Sequence, residues 1–140
     1  MASNADGLKP RVVLDTNVLV SALLSPFGAP AKVGNMAVSR QLVPCYDGRI
    51  LSEYHQVLAR PRFRLDPAKV RRILDAITDN GMAFSSKPLH IPLPDPDDAC
   101  FAEISEAANA VLITGNLRHY PDFPRAMSVQ DFLSQMNSDR

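Results

Sequence analysis

Tryptophan is absent from this chain, and phenylalanine and tyrosine bring the aromatic share to only 6%. An extended base-stacking platform is therefore hard to build. Cysteine is scarce as well: Cys45 and Cys100 lie 55 positions apart, with no CxxC or Cys/His ligand spacing around them. That spacing excludes a zinc site and a disulfide framework, and both cysteines read as buried thiols. Net charge is missing, since 15 Lys and Arg face 15 Asp and Glu. A polybasic protein that binds nucleic acid by bulk charge is excluded, so any nucleic-acid chemistry must come from a local site. No run approaches the roughly 18 apolar residues of a membrane span, and MASNADGLKPR has no apolar signal core. The expectation is a cytoplasmic protein with no membrane partner.

Several catalytic signatures are also lacking. There is no GxxxxGK[ST], no GxGxxG opening a helix and no GxSxG, which removes P-loop, dinucleotide-binding and serine-hydrolase readings. A haloacid dehalogenase-type phosphatase needs a second aspartate two residues after the first, and here Asn17 stands two after Asp15. His55, His90 and His119 show no i, i+4 pairing and read as surface or internally satisfied residues.

What is present fits one domain of 140 residues. Residues 1–10 read as a flexible tail, and 11–137 as a single domain. RVVLD at 11–15 and AVLIT at 110–114 are continuous apolar runs suited to strands buried on both faces; LVPCY at 42–46 reads as a strand and MAFS at 82–85 as a short one. Helices are predicted over 17–24, 31–41, 49–59, about 67–80, about 97–108 and 129–136. Asp66-Pro67 supplies a cap and a first-turn proline for the fourth of these, and Asn80-Gly81 ends it. GNLRHYPDFPRA, at 115–126, reads as a loop. Strands alternating with helices predict an α/β fold, a three-layer α/β/α sandwich around a central, mostly parallel sheet.

In such sheets ligands bind outside the carboxyl ends of the strands. Asp15, after VVL, and Thr114 to Asn116, after AVLI, occupy those positions. Asp15 has two readings: a cap for the helix that follows, or a carboxylate that needs a cation because an unpaired buried charge is costly. Glu53 borders the apolar stripe of Ile50, Tyr54 and Val57, so it can face the sheet end as well as solvent. In PDPDDACF, Asp95 suits a helix cap, and Asp98 falls near the third helical position, beside the flank that carries Phe101. Three acids from distant segments meeting at one sheet end would repel one another without a divalent cation, and hard oxygen ligands suit Mg²⁺ or Mn²⁺. Six of the fifteen basic residues fall between 60 and 72, among them Arg60, Arg62 and Arg64. They form either a solvated face or, with Arg118 and His119 contributing from the sheet end, a candidate RNA-binding patch.

VVLDTNVLVSALLSPFGAPAKV resembles the opening of PIN domains, specifically the PIN-type toxin components of prokaryotic toxin-antitoxin systems, the VapC-like ribonucleases. The likeness continues in order through ILSEYHQVLARPRF, LPDPDDACFAEIS and AVLITGNLRHYP, over roughly residues 11–133. The resemblance implies that Asp15, Glu53 and Asp98 are the catalytic, metal-holding acids. It implies that Asn17 and Thr114 support them, and it places Asn116 where many relatives carry a fourth acid. It further implies a Mg²⁺- or Mn²⁺-dependent endoribonuclease, an RNA substrate, a cognate antitoxin and a homodimer. The apolar helix from Asn17 and the helix over 31–40 are candidate interface elements. Because of Asn116, a catalytically weakened RNA- or protein-binding module stands as the alternative, alongside a PIN nuclease of RNA maturation.

Overall fold

β1 (Arg11–Leu14) is the centre of the molecule in chemistry as well as position. Val12, Val13 and Leu14 are all inaccessible to solvent. Successive strand residues point to opposite faces, so burial of all three requires cover on both sides of the sheet. The computed structural model describes residues 9–138. Apart from Lys9 and Pro10, the tail expected at 1–10 lies outside the described residues.

Five strands form one parallel sheet in the order β3-β2-β1-β4-β5, with β2 at Val43–Tyr46, β3 at Met82–Ala83, β4 at Val111–Thr114 and β5 at Ala126–Ser128. The helices are α1 (Thr16–Leu24), α2 (Ala29–Val38), α3 (Gly48–Leu58), α4 (Pro67–Asn80), α5 (Ala99–Ala108) and α6 (Val129–Ser138). α5 packs across β1, β2 and β4 with α3 beside it; α4 and α6 pack on the sheet and are bridged by α2. This is the α/β arrangement expected from the alternating pattern.

The chain leaves β1 toward β2 and β3, then returns to the other side of β1 for β4 and β5. The reversal falls at the carboxyl ends of β1 and β4, the point at which open α/β sheets form the crevice that binds ligands. Local chemistry sets the boundaries. Asp47 caps α3 by accepting from the Ile50 N–H at 3.0 Å, and Asp66 caps α4 through the Ala68 N–H at 2.9 Å. Gly81 stops α4 where a Cβ would lie 2.1 Å from the Pro44 carbonyl oxygen and 2.3 Å from that of Ile77. Only a residue without a side chain lets the helix end pass this close to β2.

Two expectations are corrected. The segment 115–126 is not a plain loop: Leu117–His119 forms a 3-10 turn, and the chain then enters β5, beginning at Ala126. Three half-buried residues give too short a run for periodicity to reveal; pairing with β4 makes them a strand. The helix expected from about Asp97 begins instead at Ala99, after a separate 3-10 turn over Pro96–Asp98. The Asp95 side chain caps that tighter turn by accepting from the Asp97 N–H at 2.9 Å. Asp98 therefore sits at the junction of the two helices and not in a regular first turn.

Candidate active site at the ends of β1 and β4

Asp15 follows β1 directly, and its N–H donates to the Ile113 carbonyl at 3.0 Å, which holds it against the end of β4. It stands at the cap position of α1, yet its side chain makes no cap hydrogen bond. Instead Oδ2 accepts from the Thr114 hydroxyl at 2.8 Å, the Tyr120 hydroxyl at 3.0 Å and Asn17 Nδ2 at 3.4 Å. The residue is only 4% exposed. Burial pushes its pKa above the usual carboxylate value, and the Thr114 and Tyr120 hydrogen bonds oppose that push. Three donors on one oxygen fix the carboxylate's orientation. Asn17 also accepts from the Gly115 N–H at 2.9 Å, which ties the start of α1 to the end of β4.

Glu53 comes from α3, half-buried as its place beside the apolar stripe suggested. The next residue explains its position: Tyr54 is buried and donates its hydroxyl to the Leu14 carbonyl at 2.5 Å, which pins α3 to the end of β1. Burial raises the Glu53 pKa; Arg60 lowers it, while Asp97, Asp15 and Asp95 raise it. The Glu53 carboxylate thus shares a field with Asp15 although they are 38 positions apart in sequence.

Asp98 completes the group. Its pKa is pushed up to about 6, first by burial, then by Asp15 and Asp95, with His119 pulling the other way and Glu53 adding to the rise. Its Oδ2 is buried without a hydrogen-bond partner and lies 3.6 Å from His119 Nδ1. A buried carboxylate oxygen with nothing to accept from is expensive. The donor set, carboxylates alone with an orphaned oxygen among them, fits a hard divalent cation. Among the described residues, however, no three His, Cys, Asp or Glu side chains are already arranged to hold a metal ion. The acids share one electrostatic neighbourhood without forming a closed cluster.

Asn116 is occupied locally. Its Oδ1 accepts from the Arg118 N–H at 3.1 Å, capping the 3-10 turn, and its Nδ2 lies 3.2 Å from His119 Nε2. Arg118 is exposed at the rim. Of the basic residues read between 60 and 72, Arg60 reaches the field of Glu53, Arg62 stacks over Phe63 at 4.9 Å, and Arg64 faces a groove between α3 and α4 together with Arg60. The sequence reading overlooked Tyr120, which lies in the segment read as a loop. His119, read either as a surface or satisfied residue or as part of the phosphate patch, stands beside Asp98. Only its nearness to Thr114 in sequence could have signalled Tyr120.

A family model described as "PIN domain" matches residues 11–118. The chain belongs to the PIN domain family. PIN domains are generally nucleases and typically use divalent metal ions. This PIN domain is 32% identical over 116 residues to an uncharacterized protein of Methanocaldococcus jannaschii, an alignment that covers 78% of the chain and 72% of the relative. Its fold matches the crystal structure of PAE2754 from Pyrobaculum aerophilum with a TM-score of 0.60 at 17% identity, covering 93% of this chain and 90% of that one. It also matches the crystal structure of VapBC2 from Rickettsia felis bound to a DNA fragment from their promoter, with a TM-score of 0.53 at 17% identity, covering 84% and 96% of the two chains. Among the described residues no helix is long and apolar enough to cross a membrane.

Proposed function

We propose that this PIN domain is a metal-dependent endoribonuclease and the toxin of a toxin-antitoxin pair, with residues 11–137 working as one unit in the cytoplasm. The observation that carries the reading is that Asp15, Glu53 and Asp98 share one electrostatic neighbourhood near the ends of β1 and β4, with Asp98 Oδ2 buried and unpartnered. These three carboxylates would hold Mg²⁺ or Mn²⁺. Such an ion, when bound, neutralises charge on phosphoryl oxygens and makes a water acidic enough to attack a phosphodiester. The protein's own contribution is positional. Thr114, Tyr120 and Asn17 hold Asp15 in one orientation; Tyr54 anchors the helix that presents Glu53; the Asp95-capped turn delivers Asp98. Arg118 and Arg60 put positive charge at the crevice margin for the substrate's phosphates, and Arg62 and Arg64 extend that charge along the chain.

A cognate antitoxin is proposed as the partner because a structural relative is VapBC2. The homodimer is supported by Leu24 and Phe27 at the α1–α2 turn, the latter 97% exposed. The reading as a weakened binding module draws on Asn116, whose amide is already engaged by Arg118 and His119.

The deciding experiment is cleavage of a labelled RNA panel with Mg²⁺ and Mn²⁺, combined with metal-binding calorimetry, on wild type, Asp15→Asn and Asp98→Asn. Folded variants should lose about a hundredfold in rate or more, since removing even an outer partner of a metal ligand costs about 10- to 100-fold. RNA binding without cleavage under any divalent ion would establish the module instead.

A further inference from the structure

A groove of about 600 Å³ runs between α3 and α4, outside the acidic crevice. Leu58, Leu65 and Leu74 line its base; Arg60, Arg64 and Arg71, all exposed, form its margin. Asp75 is the one acid among its lining residues. The groove thus combines an apolar base with three guanidinium groups around it.

Two further observations tie the groove to the crevice and to a charged ligand. Arg60 lines the groove and stands two residues beyond the end of α3, the helix that carries Glu53, so one element serves both the groove and the acidic site. Arg64 sits at φ 50° and ψ 41°, in the left-handed region, at the end of the 3-10 turn over Pro61–Phe63, with its N–H held by the Pro61 carbonyl at 3.1 Å. A glycine would adopt this conformation without strain, yet the position carries an arginine on a turn stiffened by proline. Arg62 is turned aside onto Phe63 and is not part of the lining.

We propose that the α3–α4 groove is the subsite that holds one unstacked base of a single-stranded RNA, with the adjoining phosphates on Arg60, Arg64 and Arg71. A base has an apolar face to lay on the leucines, and its backbone carries one negative charge per nucleotide for the arginines. The volume lies in the range of sites that enclose small ligands, so one nucleotide fits and a duplex does not. A duplex would reach only the margin. The subsite rests on the nuclease reading for its choice of RNA and makes that reading specific: it places the recognised base on the α3 side of the bond to be cut.

The test is fluorescence anisotropy with single-stranded RNA oligonucleotides in chelator, where cleavage is off, over a salt series. In wild type, replacing one base by an abasic site at the recognised position should weaken binding about fivefold or more, the effect of losing roughly 40 Å² of apolar contact. Leu65→Ala should erase that abasic penalty while leaving the salt slope unchanged. Arg64→Gln and Arg71→Gln should each lower the salt slope by about one, whereas Lys87→Gln, equal in charge change but outside the groove, should leave it unaltered. A flat abasic scan, or equal slopes for the arginine variants and Lys87→Gln, overturns the proposal. So does a polyglutamate peptide that competes as well as RNA in an Arg71-dependent manner, which would make the groove an acidic-peptide site. Failure of the nuclease reading looks different. Intact groove binding with no cleavage under any divalent ion leaves the subsite standing, and cleavage insensitive to the groove variants leaves the nuclease standing alone.

Discussion

Replacing Asp98 with asparagine should stabilise the metal-free protein while abolishing its activity. In the folded chain the Asp98 carboxyl is held at about 6, against 3.8 for a free side chain, because it is buried and faces Asp15, Asp95 and Glu53. Between those two values the folded protein binds more protons than the unfolded chain, so stability falls as pH rises through that window. Above about pH 6 the penalty is constant, and the displacement corresponds to about 3 kcal/mol at most. The side chain is 16% exposed, so solvent screening reduces this, and about 1 to 3 kcal/mol is the expected gain for Asp98→Asn at pH 8. For a domain of this size that is a rise in Tm of about 3 to 9 °C. Below about pH 3 the wild-type carboxyl is protonated in both states and the two proteins should converge. Urea unfolding in chelator at pH 8 and about pH 3 measures both limits. Adding millimolar Mg²⁺ at pH 8 should stabilise wild type but not the variant, since an ion that binds only the folded state shifts the equilibrium toward it. If Asp98→Asn is no more stable than wild type at pH 8 in chelator, the carboxylate is not under the strain described here.

Three other perturbations test separate parts of the reasoning. Tyr120→Phe removes a donor that holds the Asp15 pKa down, so the acid limb of the pH–rate profile should move to higher pH, with a stability loss of about 1 to 3 kcal/mol by urea unfolding; an unmoved limb would show that Tyr120 does not act through Asp15. Gly81→Ala puts a Cβ 2.1 Å from the Pro44 carbonyl oxygen and should cost about 2 to 3 kcal/mol through forced backbone shifts, and a neutral result by thermal denaturation would contradict the close approach. Glu103, which accepts from Arg49 at 2.7 Å and from the Leu89 N–H at 3.1 Å, fastens the proline-rich segment ahead of Asp98. Glu103→Gln should raise amide exchange there, with a loss of about 1 to 2 kcal/mol because Arg49 is half exposed, and unchanged exchange at Leu89 would contradict it.

Much of the architecture is legible in composition and periodicity. Val12 to Leu14 and Val111 to Ile113 are apolar without alternation, which already requires two covered faces and a parallel sheet. Asp66-Pro67 and Asn80-Gly81 bracket α4 within a residue of its ends. Such features are local, so the chain states them directly. The segment after Thr114 is different: β5 is three residues long and exists because β4 offers it an edge, and no local pattern records that offer.

The sequence by itself determined which acids follow strands or border an apolar stripe, and its absences excluded a basic binder, a zinc fold and a P-loop. Only the tertiary structure decided that the Asp15 carboxylate does not cap α1, since three donors take its Oδ2 and its side chain makes no cap hydrogen bond. It likewise decided that Asn116 is spent on its own turn, that Tyr120 donates to Asp15 and that His119 stands beside Asp98. The physical reason is that a helix, a cap or a strand is set by neighbours a few residues away, whereas a pKa, an orphaned oxygen and a hydrogen bond spanning 105 positions depend on where the strand order reverses. That reversal is a property of the whole chain.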